Sequence, residues 1–266
     1  MLVTQAFADV NGTRLYYEMA GFGSPVVFIH GLGADTRVWD AQFTVFAERH
    51  RAIRYDTRGH GKSAVPNMEP YSHAADLSAL LEHLGVDRAV IIGQSMGGGI
   101  ALDFALAFPE KTTGLILVDS TVGGFDWSDE WYQSWTPIYG AYASSGAGEP
   151  LALVLAHPLL APSFRQPGVK TQLTTILSDY SGWHFMNDDP LLQSDPPALH
   201  CLGQIHTPVL VLIGELDLPD FHTIGDILVK DIPNAQKVDF TGAGHVLMME
   251  APAQFNDIVL RFLAAI

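Results

Sequence analysis

The chain has 266 residues, with 14 lysines and arginines against 29 aspartates and glutamates, a formal net charge of −15. An acidic chain without a basic cluster is a poor partner for nucleic acid or for an anionic membrane. No run of about 18 apolar residues predicts a membrane-spanning helix, and the N-terminal residues show no signal peptide. The single Cys201 excludes an internal disulfide and fits a reducing compartment. We therefore expect a cytoplasmic protein with one large domain, whose oligomeric state the sequence leaves open.

Apolar runs of strand length alternate with helical patterns along most of the chain. The first two runs meet at Asn11-Gly12, a hairpin signal that indicates an antiparallel edge. The predicted strands cover residues 2–9, 13–19, 25–29, 52–55, 88–92, 114–118, 208–213 and 235–240. The predicted helices cover residues 38–49, 71–84, 97–108, 221–230 and 252–264. This alternation predicts an α/β fold with a mostly parallel, twisted sheet of eight strands and helices on both faces.

The alternation fails from about residue 121 to residue 203. This stretch holds four of the five tryptophans, many prolines and no convincing strand. We predict that it is a helical insertion between two strands of the sheet. The predicted organisation is therefore an α/β core made of residues 1–120 and 204–266, with a helical cap, or lid, made of residues 121–203.

A serine stands at the point where one predicted strand gives way to a helix. The segment Gly93-Gln94-Ser95-Met96-Gly97 matches the pattern G-x-S-x-G. Glycines two residues before and after the serine let the neighbouring backbone pass closely. The turn would hold the hydroxyl above the sheet edge at a helix N-terminus, where a developing oxyanion is favoured. Ser95 is the candidate nucleophile.

A serine hydroxyl needs a base within hydrogen-bond reach, and that base needs a carboxylate to fix its tautomer. His245 is the best candidate of the eleven histidines, because it follows a glycine-rich turn after the last predicted strand. Asp217 lies just past a buried strand end and is the candidate acid, while Asp119, at another strand end, is its rival. We expect Ser95, Asp217 and His245 to form a catalytic triad.

These motifs resemble the α/β-hydrolase fold family, in its cap-bearing branch of small esterases, lactonases, cofactor-free haloperoxidases and carbon–carbon bond hydrolases. They occur in the order of the family along the chain: His30-Gly31, Asp56 to Ser63, Gly93 to Gly98, Gly214 to Asp217, and Gly244-His245. The resemblance covers essentially the whole chain except the cap. It implies that the backbone N–H groups of Leu32 and Met96 form the oxyanion hole.

Departures from particular branches narrow the reaction that the resemblance implies. Carbon–carbon bond hydrolases usually carry Asn and Trp where this chain has Gln94 and Val246, and menaquinone-pathway synthases carry Arg at the position of Gly99. Haloalkane dehalogenases and epoxide hydrolases use an aspartate as nucleophile. The resemblance therefore implies a serine hydrolase that cleaves small carboxylic esters through an acyl-enzyme. The main alternative is lactone hydrolysis of the 3-oxoadipate enol-lactone kind, and perhydrolysis could accompany either reaction.

Several apolar side chains are candidates for the substrate pocket. We expect Trp131, Trp135 and Trp183 of the cap, together with Leu218 and Val246 beside the triad, to line it. Trp131 and Trp135 are four residues apart and would share one face of a helix. The tryptophans could equally form the apolar core of the cap itself.

Two other function classes stay open. A peptidase of the proline-iminopeptidase kind would need an acidic group in the cap to hold a free amine, and the candidates are Asp126, Asp129, Glu130 and Glu149. A ligand receptor on the same scaffold would need no aligned base and acid. The histidines are scattered without metal-ligand spacing, so no metal and no organic cofactor is expected. The expected partner is a small ester or lactone.

Overall fold

The computed structural model describes residues 2–145 and 148–266. Its eight strands are β1 (Val3–Val10), β2 (Thr13–Ala20), β3 (Pro25–Ile29), β4 (Arg51–Tyr55), β5 (Ala89–Gln94), β6 (Thr112–Val118), β7 (Val209–Gly214) and β8 (Ala235–Phe240). They form one sheet in the order β1-β2-β4-β3-β5-β6-β7-β8. The pairs β1–β2 and β2–β4 are antiparallel, and every other pair is parallel. The predicted fold class is confirmed.

The antiparallel edge begins at the predicted hairpin. Val10 pairs with Thr13, so Asn11 and Gly12 form a two-residue turn. Their φ angles are 46° and 71°. A turn with positive φ at both central residues matches the twist of the flanking strands, which explains why Asn-Gly stands here.

The helices complete a three-layer arrangement around the sheet. They are α1 (Asp40–Phe46), α2 (His73–His83), α3 (Met96–Ala107), α4 (Asp129–Ser145), α5 (Gly148–Leu155), α6 (Pro167–Asp179), α7 (Trp183–Met186), α8 (Pro219–Asp231), α9 (Leu247–Glu250) and α10 (Pro252–Leu263). Helices α2, α3 and α8 pack on one face of the sheet. Helices α1, α9 and α10 pack on the other. The helix predicted over residues 38–49 is shorter, because it starts in a 3-10 turn and ends at Phe46.

The middle strands explain the strength of the sequence pattern. Every residue of β5 and β7 is buried. Strands buried on both faces are apolar throughout, which is the continuous run of Val, Ile and Leu that the sequence shows. Burial of these side chains from both layers is the main stabilising contribution to the core.

Between β6 and β7 the described residues form helices, turns and loops, and no strand. This part of the chain carries α4 to α7 and short 3-10 turns, with one isolated bridge from Leu191 to Tyr71. The limits of the cap at residues 121 and 203 stay a prediction. Among residues 2–145 and 148–266, no helix combines the length and apolar character needed to cross a bilayer.

Candidate active site

Ser95 sits on a strained turn between β5 and α3. Its φ and ψ are 53° and −118°, a region that L-residues rarely adopt. The turn is possible because glycines stand two residues before and two residues after the serine. A Cβ on Gly93 would collide with the carbonyl of Gly97, and a Cβ on Gly97 would collide with the carbonyl of Ile29. The pattern G-x-S-x-G is therefore required by the close approach of three backbone segments.

Hydrogen bonds hold this turn in place. The Ser95 N–H donates to the carbonyl of Val118 at 2.9 Å, and the Ser95 carbonyl accepts from Gly98 N at 2.9 Å. Met96 is the first residue of α3, so its N–H is among the helix donors that lack an intrahelical partner. A free donor beside the serine is the arrangement that an oxyanion requires.

The loop after β3 passes directly alongside the serine. A Cβ on Gly31 would lie 3.2 Å from the Cβ of Ser95. His30 fixes the loop, because its Nδ1–H donates to the Gly31 carbonyl at 2.8 Å while its Nε2 accepts from Thr57 N at 3.0 Å. Leu32 and Met96 both line the cavity above Ser95. The backbone N–H groups proposed for the oxyanion hole therefore belong to the two segments that border the serine.

The predicted base and acid are in contact. His245 Nδ1 lies 2.8 Å from Asp217 Oδ2, and the two side chains are 4% and 0% exposed. Asp217 Oδ1 also accepts from Leu218 N at 2.7 Å. The carboxylate selects the tautomer with the proton on Nδ1, which leaves Nε2 free to act as a base. The ring of Phe221 packs against the imidazole with centroids 4.5 Å apart.

Gln94, the residue before the serine, connects the Ser95 turn to the loop that carries His245. Its Nε2 donates to the His245 carbonyl at 3.0 Å. Ser95 and His245 then border the same cavity. The structure thus places all three residues of the predicted triad at one edge of the sheet, where the parallel strands end.

Asp119, the rival acid, lies beside the pair as a second buried carboxyl group. The ligand-type side-chain atoms of Asp119, Asp217 and His245 all lie within 4.8 Å of one another. Asp119 Oδ1 accepts from Gly214 N at 2.8 Å, and its Oδ2 is buried without a hydrogen-bond partner. Burial and the charge of Asp217 raise the pKa of Asp119 well above its ordinary value. Burial and the neighbouring carboxyl group of Asp217 therefore favour the protonated form of Asp119.

Glu250, which the sequence analysis did not single out, secures the backbone around His245. Its carboxylate accepts from Gly244 N at 2.9 Å and from Val246 N at 3.3 Å. It also accepts from Ser163 Oγ of the cap at 2.8 Å. One buried carboxylate therefore fixes both sides of the histidine and joins the cap to the core.

A cavity of about 630 Å³ lies between the sheet edge and the cap. Three residues that we expected in the substrate pocket, Trp131, Trp135 and Val246, border this cavity, and so do Trp127 and His157, which were not among the expected residues. The tryptophans therefore line the cavity and also pack within the cap, because the rings of Trp127 and Trp131 stack on each other with centroids 4.2 Å apart.

The predicted pocket positions Trp183 and Leu218 lie outside this cavity. Trp183 begins α7 and packs its ring edge-on against His184. Leu218 is the residue before α8, and only its N–H takes part in the site, by donating to Asp217. Sequence proximity to the acid did not determine where the Leu218 side chain lies.

Four histidines other than His245 have lowered pKa values; His60, His73 and His157 are buried, and His184 is partly buried. His60 stacks against Tyr180 and His184 of the cap, with centroids 5.0 and 4.5 Å apart. Burial lowers the pKa of His73 to about 3 and that of His157 to about 4. Burial also lowers the pKa of His60 and of His184. All four therefore fold as neutral imidazoles.

We expect the protein to lose stability as pH falls below about 6.5. Unfolded histidines take up a proton near that pH, whereas the folded ones do so only at lower pH, so acid favours the unfolded chain. Each such histidine lowers the free energy of unfolding by up to about 1.4 kcal/mol per pH unit. Urea unfolding between pH 7.5 and 5 measures this slope. His73→Gln should make it shallower, and His206→Gln, at an exposed position, should leave it unchanged. An unfolding free energy that stays constant over this range would contradict the expectation.

Comparison with known proteins agrees with this architecture. The chain matches the family model described as alpha/beta hydrolase fold over residues 24–252. It is 30% identical to an uncharacterized protein of Mycobacterium tuberculosis, over 98% of this chain and 81% of that protein. It is 28% identical to 3-oxoadipate enol-lactonase 2 of Acinetobacter baylyi, over 88% of this chain and 86% of that protein. The crystal structure of the enol-lactonase from Burkholderia xenovorans LB400 is 25% identical and matches with a TM-score of 0.82, over 97% of this chain and 100% of that one. The chain is therefore a member of the α/β-hydrolase fold family, with enol-lactonases among its relatives.

Proposed function

We propose that the protein is a serine hydrolase that cleaves small carboxylic esters through an acyl-enzyme. The observation that carries the proposal is the hydrogen bond between buried His245 and Asp217, with His245 bordering the same cavity as Ser95 on its strained turn. A base, an orienting acid and a hydroxyl at a helix N-terminus form the arrangement that acyl transfer needs.

The reaction follows from this geometry in two stages. His245 Nε2 takes the proton of the Ser95 hydroxyl as the oxygen attacks the ester carbonyl, and the oxyanion lies against the N–H groups of Leu32 and Met96. The carbonyl re-forms as the alcohol leaves with the proton from His245. Water then attacks the acyl-enzyme with His245 again as base, which releases the acid and restores Ser95. Asp217 holds the imidazole and stabilises its cationic form throughout.

Lactone hydrolysis is the second candidate, because two of the reported relatives are named enol-lactonases. A lactone is a cyclic ester, and the same residues would open it without release of a separate alcohol. The two candidates differ in the substrate that fits the cavity and share the chemistry.

The other two function classes find less support. Asp126, Asp129 and Glu130 do not border the cavity, so none of them is placed to hold the amine of a peptidase substrate. The side chain of Glu149 lies outside the described residues. A ligand receptor does not require a base oriented by a carboxylate, so the His245–Asp217 hydrogen bond favours the hydrolase over the receptor.

The test is a pre-steady-state assay with p-nitrophenyl acetate, butyrate and octanoate. We expect a burst of p-nitrophenol equal to the enzyme concentration, and a peptide containing Ser95 that gains the mass of the acyl group after acid quench. The relative rates along the series measure the length of acyl chain that the cavity accommodates. Turnover without an adduct on Ser95, or no turnover of any ester or lactone by the folded protein, would refute the proposal.

A further inference from the structure

The cavity above Ser95 is uncharged apart from the triad. Among the described residues that border it there is no Lys, Arg, Asp or Glu, although the chain as a whole carries a charge of −15. Its other ionisable side chains are tyrosines and His157. His157 is buried, accepts from Leu159 N through Nδ1, and lies 2.9 Å from Ser134 Oγ through Nε2. Burial keeps it neutral, so it brings no positive charge.

The cap has little positive charge to offer. Residues 121–203 contain only two cationic side chains, Arg165 and Lys170. Arg165 borders a separate groove between the cap and a part of the core formed by the start of α1, the end of α9 and Pro252. Lys170 lies over the ring of Phe164 at 5.5 Å. Neither borders the cavity, so a carboxylate that entered it would find no described cationic partner.

One wall of the cavity is aromatic. Trp127, Trp131 and Trp135 follow one another along it, with ring centroids 4.2 and 5.5 Å apart. Trp135 continues the series to His157 at 4.5 Å. All three tryptophans border the cavity and give it an apolar aromatic wall against which an aromatic group can pack.

We propose that this cavity selects uncharged substrates with an aromatic group and rejects esters or lactones that carry a free carboxylate. The inference rests on the proposed hydrolase function and deepens it by naming the substrate class. A buried carboxylate without a cationic partner loses its hydration without compensation. An enol-lactone of 3-oxoadipate retains one free carboxylate, since only the other carboxyl group closes the ring. The substrate of this chain therefore differs in charge from the one that its named relative takes.

The turnover test compares two benzyl esters of the same shape. Benzyl 4-methylpentanoate ends in an isopropyl group where benzyl hemisuccinate ends in a carboxylate. After correction for their alkaline hydrolysis rates, we expect kcat/KM to be at least about 100-fold higher for the neutral ester. Equal values, or a preference for the hemisuccinate, would overturn the inference and leave the hydrolase function intact.

A binding test separates the inference from catalysis. Ser95→Ala protein is titrated with the same two esters, and tryptophan fluorescence reports occupation of the cavity beside Trp127, Trp131 and Trp135. We expect the neutral ester to bind at least about 10-fold more tightly. Selective binding without turnover by the unmodified protein would refute the hydrolase function alone. Equal binding, or no binding of either ester, would overturn the inference.

The aromatic wall is tested with a matched pair of tryptophan variants. Trp131→Leu should lower kcat/KM for benzyl relative to ethyl 4-methylpentanoate by roughly 3- to 10-fold. Trp183→Leu changes a tryptophan outside the cavity and should leave that ratio unchanged. An unchanged ratio in both folded variants would refute the role of the aromatic wall.

Discussion

Replacing Ser95 by alanine is expected to reduce ester hydrolysis by on the order of 10⁵- to 10⁶-fold, because the acyl-enzyme can no longer form. The fold should survive, since alanine only removes a hydroxyl and the strained φ of 53° is already present with serine. The measurement is kcat/KM on p-nitrophenyl butyrate, with thermal unfolding as the check on folding.

Ser178→Ala supplies the matched control for this variant. Ser178 lies on the exposed side of α6, where its hydroxyl donates to the carbonyl of Thr174 at 2.8 Å. We expect its activity to equal that of the unmodified protein. If Ser95→Ala kept more than a small fraction of the activity in a preparation free of other esterases, Ser95 would not be the nucleophile.

The second large effect is expected at the acid. Asp217→Asn should lower kcat by about 10⁴-fold, because an amide no longer selects the correct imidazole tautomer or stabilises its cation. Asp119→Asn is the matched comparison, because it makes the same change at the neighbouring buried carboxyl group. Since burial and the charge of Asp217 favour the protonated form of Asp119, we expect a neutral amide to replace it with little change of charge. Its oxygen can still accept from Gly214 N.

We therefore expect Asp119→Asn to change kcat by less than about 10-fold, since the imidazole keeps its hydrogen bond to Asp217. Steady-state kinetics from pH 5 to 9 on both variants measures the difference. A larger loss in Asp119→Asn than in Asp217→Asn would identify Asp119 as the catalytic acid. Equal large losses would show that the two carboxyl groups act as one unit.

The cavity explains how close relatives in fold can differ in substrate. The candidate triad is held by core elements, whereas Trp131, Trp135 and His157 of the cavity wall come from the helical region between β6 and β7. Glu250 links the two parts through Ser163. Changes in the cavity-wall residues can therefore alter the cavity without moving the candidate triad, provided that the Ser163–Glu250 hydrogen bond is kept, which would separate substrate choice from chemistry.

The sequence by itself determined the strands of the sheet and the turn that carries Ser95. Buried parallel strands must be apolar on both faces, so β5 and β7 are visible as uninterrupted runs. The Asn11-Gly12 hairpin and the glycines around Ser95 are equally local, because each is required by the backbone at its own position. The placement of the candidate triad followed from the same local rules, since Ser95, Asp217 and His245 each come after a strand.

The tertiary structure alone decided the contacts between residues that are far apart in the chain. The 2.8 Å hydrogen bond to His245 distinguishes Asp217 from Asp119, although both follow buried strands. Glu250 accepts three hydrogen bonds, from Ser163, Gly244 and Val246. No periodic pattern in the sequence predicts them. Packing also excluded Trp183 and Leu218 from the cavity and admitted His157. Local sequence determines where a strand or a turn forms, but the residues that line a pocket depend on how separate helices come together in space.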